Sequence, residues 1–188
     1  MRIILMGIQG SGKSTQGVKL AKKFGLQYLS TGHIFRDMAQ SKSKLGRYLK
    51  ETMAAGLLIP DKKTIEIVEE YLARPEYDKG YIMDGFPRTI FQAEQFKHKL
   101  DLVIYLDVSD KEALWRISYR NDVLRDDETV IAVRKRIELF HKVTKPVLTF
   151  YRRRRLLVEV DGEQSKTKVH EEIMKQVNKI KVDKKNTK

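Results

Sequence analysis

The sequence predicts an α/β domain in which helices flank a five-stranded parallel sheet. Short apolar runs alternate along the chain with stretches whose apolar residues recur at helical spacing, as in parallel strands joined by crossover helices. The first apolar run leads directly into a glycine-rich string and then a helix. No repeat, low-complexity tract or flexible linker divides the chain, so residues 1–188 are expected to form a single domain, with any subdomain inserted into it.

The predicted strands are short apolar runs bounded by turn-forming residues. In chain order they span residues 3–6, 27–30, 81–83, 102–106 and 156–160. The first helix follows Lys13, and Gly25 is expected to end it; its apolar face consists of Val18, Leu20, Ala21 and Phe24.

Three further helical features occur in the second half of the chain. Residues 109–112 read Ser-Asp-Lys-Glu, which predicts a capping box in which Ser109 and Glu112 bond each other's backbone N–H groups. A longer helix follows, which Pro146 is expected to bend; its apolar stripe is Val130, Val133, Ile137, Phe140, Val147 and Tyr151. The last helix is expected to cover the sheet with Val169, Ile173, Val177 and Ile180.

The glycine-rich string at residues 7–15 reads Gly-Ile-Gln-Gly-Ser-Gly-Lys-Ser-Thr, a complete phosphate-binding motif. Its position between a strand and a helix is the context that such a loop requires. The glycines allow backbone N–H groups to point at an anion, and Lys13 adds a full positive charge at the helix N-terminus. The string therefore predicts a polyphosphate-binding loop.

Composition restricts the class of protein. The chain has no cysteine, which excludes disulfides and a thiolate zinc site, and we expect no zinc. No apolar stretch reaches membrane-spanning length and the N-terminus shows no signal-peptide pattern, so a cytoplasmic protein without a membrane partner is expected. We also expect a monomer. The net charge of +13 suggests an anionic partner, but the basic tail and the arginine run at 152–155 are most simply solvated surfaces.

Several blocks of the chain together resemble the signature blocks of adenylate kinases. They occupy residues 7–16, 30–36, 56–61 and 84–89, and basic residues at 120, 125 and 134–136 follow in the same order. The resemblance runs from Met1 to about Ile173. It implies a P-loop kinase fold, reversible phosphoryl transfer between ATP and AMP to give two ADP, and magnesium as cofactor. It also implies a small helical monophosphate-binding insertion at about 31–60 and a short lid loop at about 120–126.

The resemblance also implies which residues form the sites. The catalytic cations are Lys13, Arg88, Arg120, Arg125 and Arg136. The ATP site comprises Gly10, Ser11, Gly12, Lys13, Ser14, Thr15, Arg116, Arg120 and Gln164. The AMP site comprises Thr31, Arg36, Leu57, Leu58, Ile59, Gly85, Phe86, Pro87, Arg88, Gln92, Arg125 and Arg136. Clustered cations suit this reaction because two nucleotides bring many negative charges together, and charge stabilisation lowers the barrier. Arg116 and Arg120 repel each other at i,i+4, a cost that a bound anion would remove.

Asp84 is expected to orient magnesium-bound water, because it ends a buried strand at the carboxyl edge of the sheet. The alternative role is an N-cap for the segment after Pro87. The hydroxyl that faces the metal is that of Ser14 or that of Thr15. The choice is open because the family usually has glycine at the position of Ser14 and a hydroxyl at the position of Thr15.

Acceptor choice rests on the block that begins at Asp84. Gln92 either pairs with the adenine edge or only completes a capping box with Thr89, and Thr31 can likewise be only a helix cap. Related uridylate/cytidylate kinases usually have asparagine where Thr89 stands, so the threonine favours AMP over CMP or UMP. A basic RNA-associated P-loop nucleoside-triphosphatase is the other alternative, but no RNA-binding aromatic motif supports a nucleic-acid partner.

Two positions depart from the family pattern. His33 stands where an aspartate is usual after Ser-Thr-Gly, and the acidic pair at 126–127 lies one residue closer to Arg125 than usual. The histidine at position 33 removes a carboxylate near the metal. The closer acidic pair bears on how the lid residue Arg125 is anchored.

Overall fold

The computed structural model describes residues 1–119 and 129–186. Its centre is a five-stranded, all-parallel sheet in the order β2-β3-β1-β4-β5. The strands are β1 (Arg2–Met6), β2 (Gln27–Ser30), β3 (Tyr81–Asp84), β4 (Leu102–Asp107) and β5 (Leu157–Asp161). The predicted set of strands is confirmed, and the predicted ends differ from the observed ones by one residue at most. Because the strands are parallel, all their carboxyl ends lie at one edge, where ligands of open α/β sheets bind.

Helices cover both faces of this sheet. They are α1 (Lys13–Phe24), α2 (Thr31–Ala39), α3 (Lys44–Ala54), α4 (Asp61–Leu72), α5 (Ile90–Gln95), α6 (Asp110–Ser118), α7 (Val130–Leu139), α8 (Lys145–Arg153) and α9 (Lys166–Asn186). The end of α1 is as predicted, because Gly25 adopts a left-handed conformation with φ of 62°. None of the helices in the described part of the chain has the length and apolar character needed to cross a membrane.

The two faces of the sheet form two apolar clusters. On one face, Leu20 of α1 and Ile173 of α9 pack with the buried strand residues Ile3 and Ile104, as the periodicity of the last helix predicts. On the other face, side chains of α2, α3, α4, α5 and α8 pack around Ile4, Met83 and Val103. Residues 31–60, the predicted insertion, contain α2 and α3. The predicted lid at 120–126 lies outside the described residues.

The capping box at the start of α6 is only half formed. Ser109 Oγ accepts a hydrogen bond from the backbone N–H of Glu112 over 3.3 Å, as expected. The prediction that Glu112 accepts a bond from the backbone N–H of Ser109 is wrong, because that N–H donates to Glu163 Oε1 over 2.8 Å. Glu112 accepts a bond from Arg116. A carboxylate from the loop after β5 thus takes the position that local sequence assigned to Glu112.

The long helix predicted around Pro146 is interrupted before the proline. A π-helical turn at Phe140–Thr144 separates α7 from α8, and Pro146 lies in the first turn of α8. Proline is tolerated there because its missing N–H falls where a helix has unpaired donors. The π turn places Phe140 and Thr144 against the cleft at the carboxyl edge of the sheet.

Candidate active site

The phosphate-binding loop joins the end of β1 to the start of α1, as the motif predicts. Gly10 adopts φ of 89°, and a Cβ atom placed there would lie 2.6 Å from the carbonyl oxygen of Ala113. Both the left-handed backbone and this close approach require glycine. The loop is therefore held against α6, and Gly10 and Gly12 line the cleft above the sheet.

Lys13 lies over this loop. Its Nζ donates hydrogen bonds to the carbonyl oxygens of Gly7 and Ile8 over 2.8 and 2.7 Å. Ser11 is buried within the loop, and its hydroxyl lies 3.3 Å from the same ammonium. Because Lys13 is the first residue of α1, its charge adds to the partial positive charge of the helix N-terminus. This arrangement suits the binding of a polyphosphate.

Asp84 is the centre of a polar network at the end of β3. Its Oδ2 accepts hydrogen bonds from Ser14 Oγ over 3.2 Å and from Tyr28 hydroxyl over 3.0 Å. Only 6% of Asp84 is exposed. Burial raises the pKa of Tyr28, and the negative charge of Asp84 raises it further, so this tyrosine remains a neutral donor. The alternative that Asp84 caps the next helix is wrong, because Thr89 caps α5 by accepting from the backbone N–H of Gln92.

The network also bears on the open choice between two hydroxyls. Ser14, rather than Thr15, points its hydroxyl at Asp84. One carboxylate and one hydroxyl beside a phosphate loop fit Mg²⁺, which keeps several waters and usually takes its remaining ligands from substrate phosphates. Sequence reasoning missed Tyr28, because no motif includes it. Tyr28 comes close to Asp84 because β2 pairs with β3 in a register that places Ser30 beside Asp84.

Three arginines also line the cleft. Arg88 Nε donates to the carbonyl oxygen of Gly85 over 2.8 Å, and Arg136 donates to that of Met53 over 2.8 Å. Arg36 of α2 also lines the cleft. Burial lowers the pKa of Arg88, and the charges of Arg136 and Arg36 lower it further while Asp84 opposes them. Like charges brought this close indicate a site for a multiply charged anion.

Gln92 lies at the base of this region and is 2% exposed. Its Oε1 accepts from the backbone N–H of Arg88 over 2.7 Å, and its Nε2 donates to Asp61 Oδ1 over 2.8 Å. The predicted capping box is therefore half correct: Thr89 caps Gln92, but the glutamine reaches Arg88 instead of Thr89. Asp61 is a second contact that sequence reasoning missed.

The cap interpretation of Thr31 is also wrong. Ser30 occupies the cap position of α2, and Thr31 is the first residue of the helix. The Thr31 hydroxyl is buried and lies 3.5 Å from the carbonyl oxygen of Asp84. Thr31 therefore packs beneath the arginine-lined part of the cleft, against the Asp84–Gly85 peptide.

The structure brings most of the predicted site residues to one cleft. Those that line it are Gly10, Gly12, Lys13, Ser14, Thr15, Arg36, Leu57, Leu58, Ile59, Asp84, Gly85, Phe86, Pro87, Arg88, Gln92 and Arg136. Ser11 and Thr31 are buried beside it.

Arg116 and Gln164, which were predicted for the donor site, do not line this cleft. Arg116 bonds Glu112 over 2.7 Å, and Gln164 bonds Glu172 over 2.9 Å. Arg120 and Arg125 lie outside the described residues, so the predicted anion between Arg116 and Arg120 stays a prediction. His33, the departure from the family pattern, is exposed, and its ring meets that of Tyr28 edge-on at 6.4 Å between centroids.

Comparison with known proteins agrees with this geometry. Residues 5–156 match the adenylate kinase family. An adenylate kinase of Thermoanaerobacter sp. (strain X514) is 35% identical to the chain, over 93% of the chain and 97% of the relative. Adenylate kinases of Kosmotoga olearia and Archaeoglobus fulgidus are 34% and 33% identical, each over 96% of the chain and 100% of the relative. With its phosphate loop, arginine-lined cleft and near full-length similarity, the chain belongs to the adenylate kinase family and is a nucleoside monophosphate kinase.

Proposed function

We propose that the chain catalyses the reversible transfer of a phosphoryl group from MgATP to AMP, giving two molecules of ADP. The observation that carries this proposal is the arrangement of charge in the cleft. Lys13 and the phosphate loop line the same cleft as Arg36, Arg88 and Arg136, and Arg136 also donates to Gln9 Oε1 of that loop over 3.2 Å. Two phosphate-bearing ligands can therefore share a single space.

The donor binds at the phosphate loop in this proposal. Its residues are Gly10, Ser11, Gly12, Lys13, Ser14 and Thr15, with Arg116 and Gln164 near the donor base and Arg120 as a further cation. Backbone N–H groups and the Lys13 ammonium hold the phosphates in line. Asp84 and Ser14 would hold the magnesium ion, which would offset the negative charge of the donor phosphates.

The acceptor binds on the arginine side. Arg36 and Arg88 hold the AMP phosphate, and Arg136, with Arg125 from the predicted lid at about 120–126, reaches the transferred group. Leu57, Leu58 and Ile59 press on the base, while Thr31, Gly85, Phe86, Pro87 and Gln92 complete the pocket. The predicted insertion at about 31–60 supplies part of this site.

The chemistry of the transfer needs position and charge rather than a covalent intermediate. An oxygen of the AMP phosphate attacks the terminal phosphorus of ATP. The bond from that phosphorus to its bridging oxygen breaks, and the former donor leaves as ADP. The cations face the equatorial oxygens, where charge is spread in the transition state, so they lower the barrier more than they strengthen substrate binding.

A panel of nucleoside monophosphates tests the proposal. Purified protein is mixed with MgATP and AMP, CMP or UMP, and diphosphate formation is measured. We expect AMP to be used with a kcat/KM at least about tenfold above that of CMP and UMP. Faster use of CMP or UMP would replace the proposal by a uridylate/cytidylate kinase. ATP hydrolysis that responds to RNA but not to any monophosphate would favour the nucleoside-triphosphatase. We further propose that the protein is cytoplasmic and monomeric. Sedimentation of the purified protein tests the monomeric state.

A further inference from the structure

We infer that Asp61 is a specificity-determining residue, because it fixes the direction of the Gln92 amide and so lets the acceptor site distinguish a 6-amino purine from a 6-oxo purine. This inference deepens the proposed function and rests on it. Asp61 is a positioning residue in this scheme, since it contacts Gln92 rather than the reacting atoms.

Two hydrogen bonds of opposite kind hold the amide. Asp61 Oδ1 lies 2.8 Å from Gln92 Nε2, and the backbone N–H of Arg88 lies 2.7 Å from Gln92 Oε1. An ionised carboxylate only accepts hydrogen bonds, and a backbone N–H only donates them. The nitrogen end of the amide must therefore face Asp61, and the oxygen end must face Arg88.

A reversed amide would be penalised at both ends. Its oxygen would face the carboxylate oxygen of Asp61, and its N–H group would face the N–H of Arg88. Because Gln92 is 2% exposed, water cannot readily replace the lost bonds. Buried polar groups left without partners are costly, so the observed direction is strongly preferred.

The held amide still has capacity for a ligand. A glutamine amide has two donor hydrogens and two acceptor lone pairs, and the contacts to Asp61 and Arg88 use one of each. Gln92 lines the cleft together with Leu58 and Ile59. The remaining donor and acceptor are available to the edge of a base stacked on this apolar wall.

Adenine and hypoxanthine test the direction of that amide. They have the same ring system, but adenine offers a 6-amino donor beside an N1 acceptor, and hypoxanthine offers a 6-oxo acceptor beside an N1–H donor. A freely turning amide can pair with either base by rotating through a half turn. An amide fixed in one direction pairs with one base and opposes the other.

Asp61 has a second, purely structural role. It is the first residue of α4, where a negative charge stabilises the helix N-terminus. The two roles differ in their measurable effects. Loss of the helix charge lowers stability but leaves the choice between two acceptors unchanged, whereas loss of the amide anchor changes that choice.

The test compares AMP with inosine monophosphate as acceptor, each with MgATP, in wild type, Asp61→Asn and a matched control. Asparagine is nearly the same shape as aspartate, but it can both donate and accept. The control is Glu66→Gln, which removes a negative charge from the same helix at an exposed side chain that pairs with Lys63 over 3.0 Å. The measured quantity is the ratio of the two kcat/KM values. Within one variant this ratio does not depend on the fraction of active protein.

We expect the wild type to prefer AMP, and Asp61→Asn to lower that preference by at least about fivefold, since one of the two restraints on the amide remains at Arg88. Glu66→Gln should keep the wild-type ratio. A comparison with Gln92→Ala identifies the reason for failure. If Gln92→Ala lowers the preference and Asp61→Asn does not, Asp61 is only a helix-terminal charge and the inference is wrong. If neither variant changes the ratio, Gln92 does not read the base, which also overturns it. A wild type that does not phosphorylate AMP at all would overturn the proposed function, and this inference with it.

Discussion

The Ser14 hydroxyl donates a hydrogen bond to Asp84 over 3.2 Å, which joins the first turn of α1 to the end of β3. Asp84 is buried, and the Tyr28 hydroxyl donates to the same carboxylate oxygen. These bonds therefore fix the phosphate loop and the acidic strand end relative to each other. Such preorganisation lowers the cost of aligning donor phosphates with a metal ion.

Replacement of Asp84 by asparagine should reduce turnover by about two orders of magnitude and raise the magnesium concentration needed for half-maximal activity. The amide can still accept bonds from Ser14 and Tyr28, but it lacks the charge that holds a cation and its waters. Initial rates over a range of magnesium concentrations check this. Asp78→Asn, which changes an exposed aspartate ahead of the same strand, is the control and should leave the magnesium dependence unchanged. An unchanged dependence in Asp84→Asn would remove this residue from the metal site.

Lys13→Met should lower turnover by about a hundredfold or more, because a preorganised positive charge at the transferred phosphate is lost. The fold should persist, since the carbonyl groups that Lys13 contacts belong to a loop at the edge of the cleft. Turnover and thermal melting are measured together, with Lys19→Met as control on the exposed face of the same helix. If the two variants were equally active, the phosphate-loop mechanism would be refuted.

Arg88→Gln should raise the KM for AMP by at least about tenfold and lower kcat, while the KM for ATP changes by no more than about twofold. The reason is that Arg88, held by its bond to the carbonyl oxygen of Gly85, is a residue that the proposed function assigns to the AMP phosphate. Arg47→Gln, at an exposed arginine that bonds the carbonyl oxygen of Lys42, serves as the matched control. Equal increases in both KM values would mean that Arg88 does not distinguish the two sites.

Tyr151→Phe should leave the free energy of unfolding unchanged or raise it by up to about 1 kcal/mol. The Tyr151 hydroxyl is buried without a hydrogen-bond partner among the described residues, so its removal relieves an unpaired polar group. Tyr105→Phe is the matched comparison, because its hydroxyl donates to Asp107 over 2.8 Å and its loss should cost about 1 kcal/mol. Denaturant unfolding of both variants measures the difference. A large loss in Tyr151→Phe alone would indicate a hydrogen bond not apparent in the fold.

The same tyrosine gives a pH dependence with a definite sign. Burial raises the pKa of Tyr151 above its ordinary value of about 10, so the folded state retains a proton that the unfolded state loses first. The contribution of protonated Tyr151 to the free energy of unfolding is fully present below about pH 10 and is lost progressively as the pH rises above that value. Tyr151→Phe should therefore lose less stability than wild type between about pH 10 and 12. Parallel loss in the two proteins would contradict the raised pKa.

The sequence by itself determined the local parts of this protein. The phosphate loop, its strand and its helix are contiguous, and the motif specifies their order and the position of Lys13. Each strand was predicted because a short apolar run between turn residues has the length and composition of a buried strand of a parallel sheet. The similar order of several blocks indicated the chemistry, because each block carries its own charged or apolar residues.

The tertiary structure decided which distant segments meet. Tyr28 reaches Asp84 across 56 residues of chain only because β2 lies beside β3 in the sheet. Gln92 meets Asp61 across 31 residues, and Glu163 takes the Ser109 N–H across 54. Local sequence predicted nearby partners for Ser109 and Gln92, but the Ser109 N–H donates to Glu163, and the Gln92 amide donates to Asp61. The physical reason is that a buried donor or acceptor bonds whichever group the packed fold brings within about 3 Å, and sequence separation does not limit that choice.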